Sequence, residues 1–285
     1  MTQPMDVRAA KEREVAGWTA TAAGWNRHHA FFERYTAPVS EALIRKAGIR
    51  PGMRVLDIAC GTGHPALAIA ERVGPAGSVL GTDLVEPVVA FARERAREAG
   101  LTNVEFRRVD GEALDVPPAS FDAVTMRWGI MFMPSPVEAM KGAYAALKPG
   151  GRIALAAWGP PERNPFAMIA MGVIRRRLNA PPPPPGTPGI FAFADPDRLR
   201  AVIEAGGFRD VEVEPLDLVA GEYASGEEYW AFMRDIAAPI NALYQQLPPA
   251  DRPDVDAEIC AAAERHRAGG KIVVRGTSWI AAGRK

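Results

Sequence analysis

The chain has 285 residues, in which 34 Lys plus Arg balance 34 Asp plus Glu, and 48% of the residues are hydrophobic. Zero net charge excludes the basic footprint of a nucleic-acid binder, so a small-molecule partner is expected. Cys60 and Cys260 lie too far apart for a disulfide framework or a zinc spacing, and no metal is expected. The polar opening from Met1 to Glu14 and the lack of any run near ~20 apolar residues lead to the expectation of a soluble, cytoplasmic protein without a membrane partner.

Residues 1–48 have helical texture and read as an N-terminal cap segment. Trp18 and Trp25 are seven apart, hence on one helical face, and are followed by His28, His29, Phe31, Phe32 and Tyr35. That face packs on the rest of the domain, touches a ligand, or does both. From 49 to 158, strands at 53–59, 78–83, 104–109, 121–126 and 152–158 alternate with helices at 64–73, 86–99 and 136–147. Such alternation implies parallel strands joined by crossover helices. Pro65 and Pro87 stand where first helical turns begin, and Gly100 where the second helix stops.

An insertion over 159–195 carries a helix near 166–178 and the run Pro181 to Pro185, which favours an extended, stiff conformation. Residues 196–219 return to the core, with a helix opening at Asp195 and ending at Gly206-Gly207, then a strand with Val211 and Val213 running to Val219. The stretch 220–270 reads as a helical cap insertion. Ser225 and Glu228 form a capping box before a helix of about 20 residues bearing Tyr229, Trp230, Phe232 and Met233. Another helix is expected near 254–268, and 271–285 supplies the final core strand. The two insertions and the N-terminal segment are expected to wall the strand ends. In a second reading Trp230 and its neighbours form a contact between two copies, so a homodimer is a candidate assembly.

In an open sheet of this kind, ligands bind beyond the carboxyl ends of the strands where strand order reverses. That rule selects Ala59, Cys60, Gly61 and Gly63 after the first strand, Asp83 after the second, Asp110, Gly111 and Glu112 after the third, and Arg127 to Gly129 after the fourth; of these the residues up to Arg127, together with His64 and Leu84, are the candidate cofactor-binding residues. Gly61 and Gly63 can take positive φ and leave no Cβ against a ligand. Asp83 suits two ribose hydroxyls, and Asp110, its neighbouring backbone or Glu112 an exocyclic adenine amine. Each acid also has a capping or turn reading. Asp57, a carboxylate inside an apolar strand, needs a partner, and the ammonium of an amino-acid-bearing cofactor supplies one. The turn also fits the dinucleotide pattern G-x-G-x-x-G/A with Asp83 about 20 residues on, which keeps a nicotinamide-dependent oxidoreductase as an alternative.

Val55-Leu-Asp-Ile-Ala-Cys-Gly-Thr-Gly63 resembles motif I of the class I S-adenosylmethionine-dependent methyltransferases. The likeness continues through Gly81-Thr-Asp-Leu84, Asp110-Gly-Glu-Ala113, Ser120-Phe-Asp-Ala-Val124 and Leu147-Lys-Pro-Gly-Gly-Arg-Ile153, and is nearest to the ubiquinone/menaquinone-biosynthesis type, methyltransferase type 11. The resemblance implies an α/β fold: a doubly wound, Rossmann-like, seven-stranded, mostly parallel sheet, here with helical cap insertions. It implies S-adenosyl-L-methionine as cofactor, an N-terminal segment over it, and methyl transfer to O, N or C of a small acceptor. A non-catalytic protein that binds the same cofactor is the remaining alternative.

Methyl transfer from a sulfonium disperses charge, so a base is required only for a poorly ionised acceptor. His28 and His29 are the candidate catalytic bases, with His266 behind them. Adjacent helical residues point ~100° apart, so His28 and His29 cannot both line a pocket. His64 suits a wall against the cofactor. After the fourth strand stands Arg127-Trp-Gly-Ile-Met-Phe-Met133 rather than the Asn/Asp-Pro-Pro-aromatic run of amino-methylating enzymes, which points to an aromatic or lipophilic acceptor.

Overall fold

A computed structural model describes residues 6–184 and 186–285; Met1 to Met5 and Pro185, which belong to the polar opening and the polyproline run, lie outside the described residues. The chain begins with α1 (Val7–Arg27), capped by Asp6, whose side chain accepts from the Ala9 N–H, and continues after a break at His28 into α2 (His29–Lys46).

The apolar runs of the next hundred residues form β1 (Arg54–Ile58), β2 (Ser78–Asp83), β3 (Val104–Arg108), β4 (Phe121–Arg127) and β5 (Leu147–Trp158). β1, β2 and β4 are buried along nearly their whole length, which is why they read as continuous apolar runs rather than alternating ones. The crossovers include α3 (Ala66–Val73), α4 (Glu86–Glu98) and α5 (Pro136–Ala146). Pro65 sits one residue before α3, at its cap.

Two long strands, β6 (Arg209–Tyr223) and β8 (Lys271–Arg284), close the sheet in the order β3-β2-β1-β4-β5-β8-β6. The first five strands are mutually parallel; β8 runs antiparallel to β5 and to β6. The expected seven-stranded, mostly parallel sheet is therefore present. It gains one short arm, β7 (Arg267–Ala268), hairpinned onto β8 through Gly269 and Gly270, both at positive φ. Strand order reverses between β1 and β4, so the binding crevice falls there.

The remaining helices are α6 (Pro165–Leu178), α7 (Pro196–Ala205), α8 (Gly226–Ile236), α9 (Ala238–Tyr244) and α10 (Arg252–Glu264). Three features differ from the sequence expectation. The helix after Ser225 breaks at Ala237, because Pro239 removes a backbone donor and restricts the residue before it. The next helix stops at Glu264, where the chain turns into β7. And β6 runs past Val219 to Tyr223, pairing Glu222 with Val273 and Tyr223 with Ile272 beyond the point where β5 leaves β8.

That overhanging ribbon organises a second core. Tyr223, Ile272 and Val274 pack with Ile169 and Ile174 of α6, Tyr229, Trp230 and Phe232 of α8, and Ile259 of α10. Trp230 is 2% exposed and donates to Asp256 Oδ1 at 2.8 Å, an oxygen that also accepts from the Tyr244 hydroxyl at 2.7 Å. The aromatics that suggested a contact between copies are thus interior to the cap. Glycines let helices cross closely here: a Cβ on Gly24 of α1 would overlap the Asp235 carbonyl of α8. Among the described residues, no helix is long and apolar enough to cross a membrane, and no cluster of three or more His, Cys, Asp or Glu is placed to hold a metal.

Candidate active site

The crevice at the strand ends opens into a cavity of about 280 Å³ walled by α1, α2, α6, α8 and α9. Its floor is strained. Ala59 and Trp128, the residues just beyond β1 and β4, both take left-handed φ, 56° and 59°. The two ends meet so closely that a Cβ on Gly129 would overlap that of Ala59. Non-glycine residues held in this region cost ~1–3 kcal/mol each and collect at functional sites.

Of the residues selected from the sequence, Ala59, Cys60, Gly61, His64, Asp83, Leu84, Asp110, Gly111, Glu112 and Arg127 line this one cavity. Gly61 has φ 54° and nothing within 4 Å of where a Cβ would point. Its N–H donates to Asp83 Oδ2 at 2.9 Å, and the Val85 N–H donates to Asp83 Oδ1 at 3.0 Å, so Asp83 pins the glycine turn to the end of β2. Burial raises the Asp83 carboxyl above the usual range against the pull of these backbone donors. Burial also pushes the Cys60 thiol well up, leaving it an inert wall residue.

Gly63 and Asp57 do not line the cavity. Gly63, at φ 108°, shapes the turn from below, with Leu67 packed beneath it. Asp57 is fully buried; its Oδ1 accepts from the Thr125 hydroxyl at 2.6 Å, while Oδ2 has no partner. Burial therefore pushes its carboxyl up to about 7, although Thr125 and Arg127 pull the other way. His64 is driven down to about 3 by burial and by Arg127 and Arg95, so it stays neutral.

The structure does not bring His28 or His29 to the cavity. His28 Nε2 lies 2.9 Å from Asp235 Oδ2 and its ring rests on Phe232, while His29 is exposed with Nδ1 3.1 Å from the Asn26 carbonyl. The break between α1 and α2 turns both outward. His266 lies at the far end of α10, where its backbone starts the β7 hairpin. None of these histidines is placed to act as a base.

Several lining residues were not singled out in the sequence. Lys11 on α1 reaches Asp110 Oδ2 at 2.6 Å and Glu112 Oε2 at 2.8 Å. Burial disfavours its charge, but the hydrogen bonds to both carboxylates outweigh this and raise its pKa. Glu14 accepts from Trp18 Nε1 at 3.0 Å, its carboxyl raised by burial. Lys11, Trp18 and Trp25 are spaced by seven, so the tryptophan periodicity already marked this face of α1 and extends one step back to Lys11. Beyond Arg127 the walls become aromatic. Trp128 stacks on Trp158 at 4.3 Å, Trp158 leans on Phe166 at 4.4 Å, and Trp25 stacks on Phe32 at 4.0 Å. Met171, Leu218 and Tyr223 complete this half from the segments after β5.

A doubly wound sheet with a glycine turn at its switch point, and acids at the next two strand ends, is the arrangement of a protein that binds an adenosine-type cofactor, here beside an apolar chamber. Comparison with known proteins sharpens this. A family model described as a methyltransferase domain matches residues 49–168. Nocamycin O-methyltransferase of Saccharothrix syringae is 32% identical over 248 residues, covering 82% of this chain and 86% of that protein. Demethylmenaquinone methyltransferase of Thermus thermophilus is 34% identical over 170 residues, 54% of this chain and 74% of that one. Among solved structures, the YcgJ protein from Bacillus subtilis shares the fold with a TM-score of 0.55 at 20% identity, over 87% of this chain and 98% of that chain. The chain belongs to the class I S-adenosylmethionine-dependent methyltransferases and acts on a small-molecule acceptor with S-adenosyl-L-methionine as cofactor.

Proposed function

We propose that the acceptor is an aromatic or lipophilic small molecule, methylated on O, N or C, and that the cofactor lies over Ala59 to His64, Asp83 to Leu84 and Asp110 to Glu112. The observation that carries this reading is that one cavity joins those polar strand ends to the chamber of Trp25, Phe32, Trp128, Trp158 and Phe166. The residues fit the cofactor: open space stands over Gly61, an orphaned carboxylate oxygen of Asp57 lies beneath the turn, and Asp83 keeps acceptor capacity on both oxygens.

S-adenosyl-L-methionine supplies a methyl on a cationic sulfur. Asp83 accepts from ribose hydroxyls, and Asp110 with Glu112 accepts from the adenine amine while Lys11 holds the pair in place. Asp57 offers negative charge to the methionyl ammonium from below the turn, and Gly63 lets that turn approach. The aromatic walls exclude water and hold the acceptor at near-attack distance, a proximity effect worth up to ~7–11 kcal/mol. The balanced charge of the chain supports a free small molecule over nucleic acid as acceptor, and two unpaired cysteines suit a reducing cytoplasm.

Calorimetric titration with S-adenosylmethionine, S-adenosylhomocysteine and NAD tests the cofactor half. Micromolar binding of the first two and none of NAD is expected. Methylation assays across aromatic and strongly polar small molecules test the acceptor half, and turnover confined to the polar set would overturn it.

A further inference from the structure

Two cationic side chains line the cavity among the described residues, and only one of them is held in a direct ion pair. Lys11 is bound between Asp110 and Glu112. Arg127, at the end of β4, has no carboxylate within 4.0 Å; its Nη1 donates to the hydroxyls of Thr36 and, at 3.2 Å, Ser40. Nε and Nη2 make no hydrogen bond within the protein, neither is among the sealed, unsatisfied atoms, and Arg127 lines the cavity. Burial pushes the Arg127 guanidinium down to about 10 against the pull of Asp57 beneath the turn, and a guanidinium with no direct ion pair beside aromatic walls is costly unless a ligand pairs with it.

Its direction separates it from the adenosine side. Thr36 and Ser40 belong to α2, which packs on β4, β5, β6 and β8. The guanidinium carbon lies 5.3 Å from the centre of the Trp128 ring, the ring that stacks on Trp158. The acids assigned to ribose and adenine stand at the ends of β2 and β3, on the opposite side of β1. Arg127 thus stands on the β4 side of the cavity, beside the Trp128 ring of the chamber given to the acceptor.

The chemistry of the chamber agrees. Histidines 28, 29 and 266 lie elsewhere, His64 is neutral and flanked by Arg127 and Arg95, Glu14 is held by Trp18, and Asp57 is sealed under the turn. Of these groups His64 is too weak a base to serve, and only Glu14, on α1, keeps a carboxylate oxygen free of a protein partner in the cavity. An acceptor that arrives ionised needs no base: its oxygen lone pair forms the bond to the methyl carbon, the carbon–sulfur pair stays with sulfur, and no proton moves.

Resting on the proposed function, we infer that Arg127 binds the acceptor rather than the cofactor, and that the acceptor presents an anionic oxygen, a carboxylate, phenolate or enolate, on an aromatic or lipophilic body. Arg127 pairs with that oxygen, selects the ionised form of the acceptor from solution, whose proton has already gone to water, and aims it from the β4 side. Thr36 and Ser40 are positioning residues that fix the guanidinium.

The test uses 2-naphthoate and its neutral isostere 2-naphthamide as probes, titrated into protein saturated with S-adenosylhomocysteine. Wild type is expected to prefer naphthoate by about tenfold or more, the worth of one charge-assisted pair. In Arg127→Gln that preference falls to about one while S-adenosylhomocysteine binding shifts by less than about threefold. Arg127→Lys keeps the charge without the planar fork and retains a reduced preference, which decides the matter should Arg127→Gln fail to fold. Equal binding of the two probes by wild type, or no binding of naphthoate, overturns the inference. So does a tenfold loss of S-adenosylhomocysteine affinity in Arg127→Lys, which would assign Arg127 to the carboxylate of the cofactor. Failure of wild type to bind S-adenosylhomocysteine at all would instead refute the cofactor reading beneath it.

Discussion

Replacing Asp57 by Asn should make the cofactor-free protein relatively more stable as pH rises. The carboxyl is fully buried, accepts one hydrogen bond from Thr125 and has one oxygen without a partner, and burial moves it from 3.8 to about 7. A carboxyl raised in the folded state favours the folded, protonated form. Stability from this group is therefore greatest below the unfolded value near 4 and falls as pH climbs, until the folded group also ionises near 7. Between pH 5 and pH 8 the wild type loses about two pH units of this linkage, about 3 kcal/mol.

Asn cannot ionise. It keeps an oxygen for Thr125, and its buried NH2 carries a desolvation cost of ~1–3 kcal/mol that does not vary with pH. The difference between variant and wild type should therefore swing by about 3 kcal/mol, or about 6 °C in Tm for a chain of this size, in favour of the variant between pH 5 and pH 8. Thermal melts of both proteins at the two pH values read this directly, because every other titrating group is common to both. A difference that does not change with pH would refute a raised Asp57. Saturating S-adenosylhomocysteine places an ammonium above the turn, so it should shrink the swing.

Asp83→Ala removes the acceptor proposed for ribose and the anchor of the Gly61 N–H; calorimetry should show S-adenosylhomocysteine affinity down about 10- to 100-fold. Gly24→Ala drives a methyl into the Asp235 carbonyl and should force α8 off α1, costing ~1–3 kcal/mol in a denaturant titration, with hydrogen exchange rising in α8. Lys11→Met unties α1 from Asp110 and Glu112. Stopped-flow release of S-adenosylhomocysteine should become a few-fold faster and lose much of its salt dependence. His28→Ala and His29→Ala should each leave cofactor affinity and turnover within about twofold, since neither ring lines the cavity. A tenfold loss of turnover with intact binding would restore a histidine base.

The polar half of the cavity, proposed for the cofactor, was legible in the sequence because its signals are local. The glycine turn follows its strand within a few residues, each acid sits at the end of the strand that positions it, and the switch-point rule needs only strand order to bring Ala59, Asp83 and Asp110 together. The acceptor half depends on long-range packing. Nothing near Arg127 in sequence announces that Thr36 and Ser40 will hold it, and periodicity that puts Trp18, Trp25 and Lys11 on one face cannot say which strand ends that face will meet. The histidine pair was misleading for the same reason: a break of one residue between α1 and α2 decides whether His28 and His29 face in or out.

This asymmetry has a physical basis in the two cores. The methyltransferase-domain match ends at 168, and most of the cap lies after it, on a ribbon made because β6 and β8 outrun the sheet they close. Tyr223, Ile272 and Val274 give the cap hydrophobic contacts of its own, separate from those that bury β1 and β4. Substitutions in the cap can therefore reshape the acceptor chamber while leaving the glycine turn and its acids undisturbed. Arg127 is the exception, since it belongs to β4 in the core yet is held by α2. If the acceptor is an anion, its charge is recognised from a strand end of the core sheet, and the cap is left to select only the shape of its apolar body.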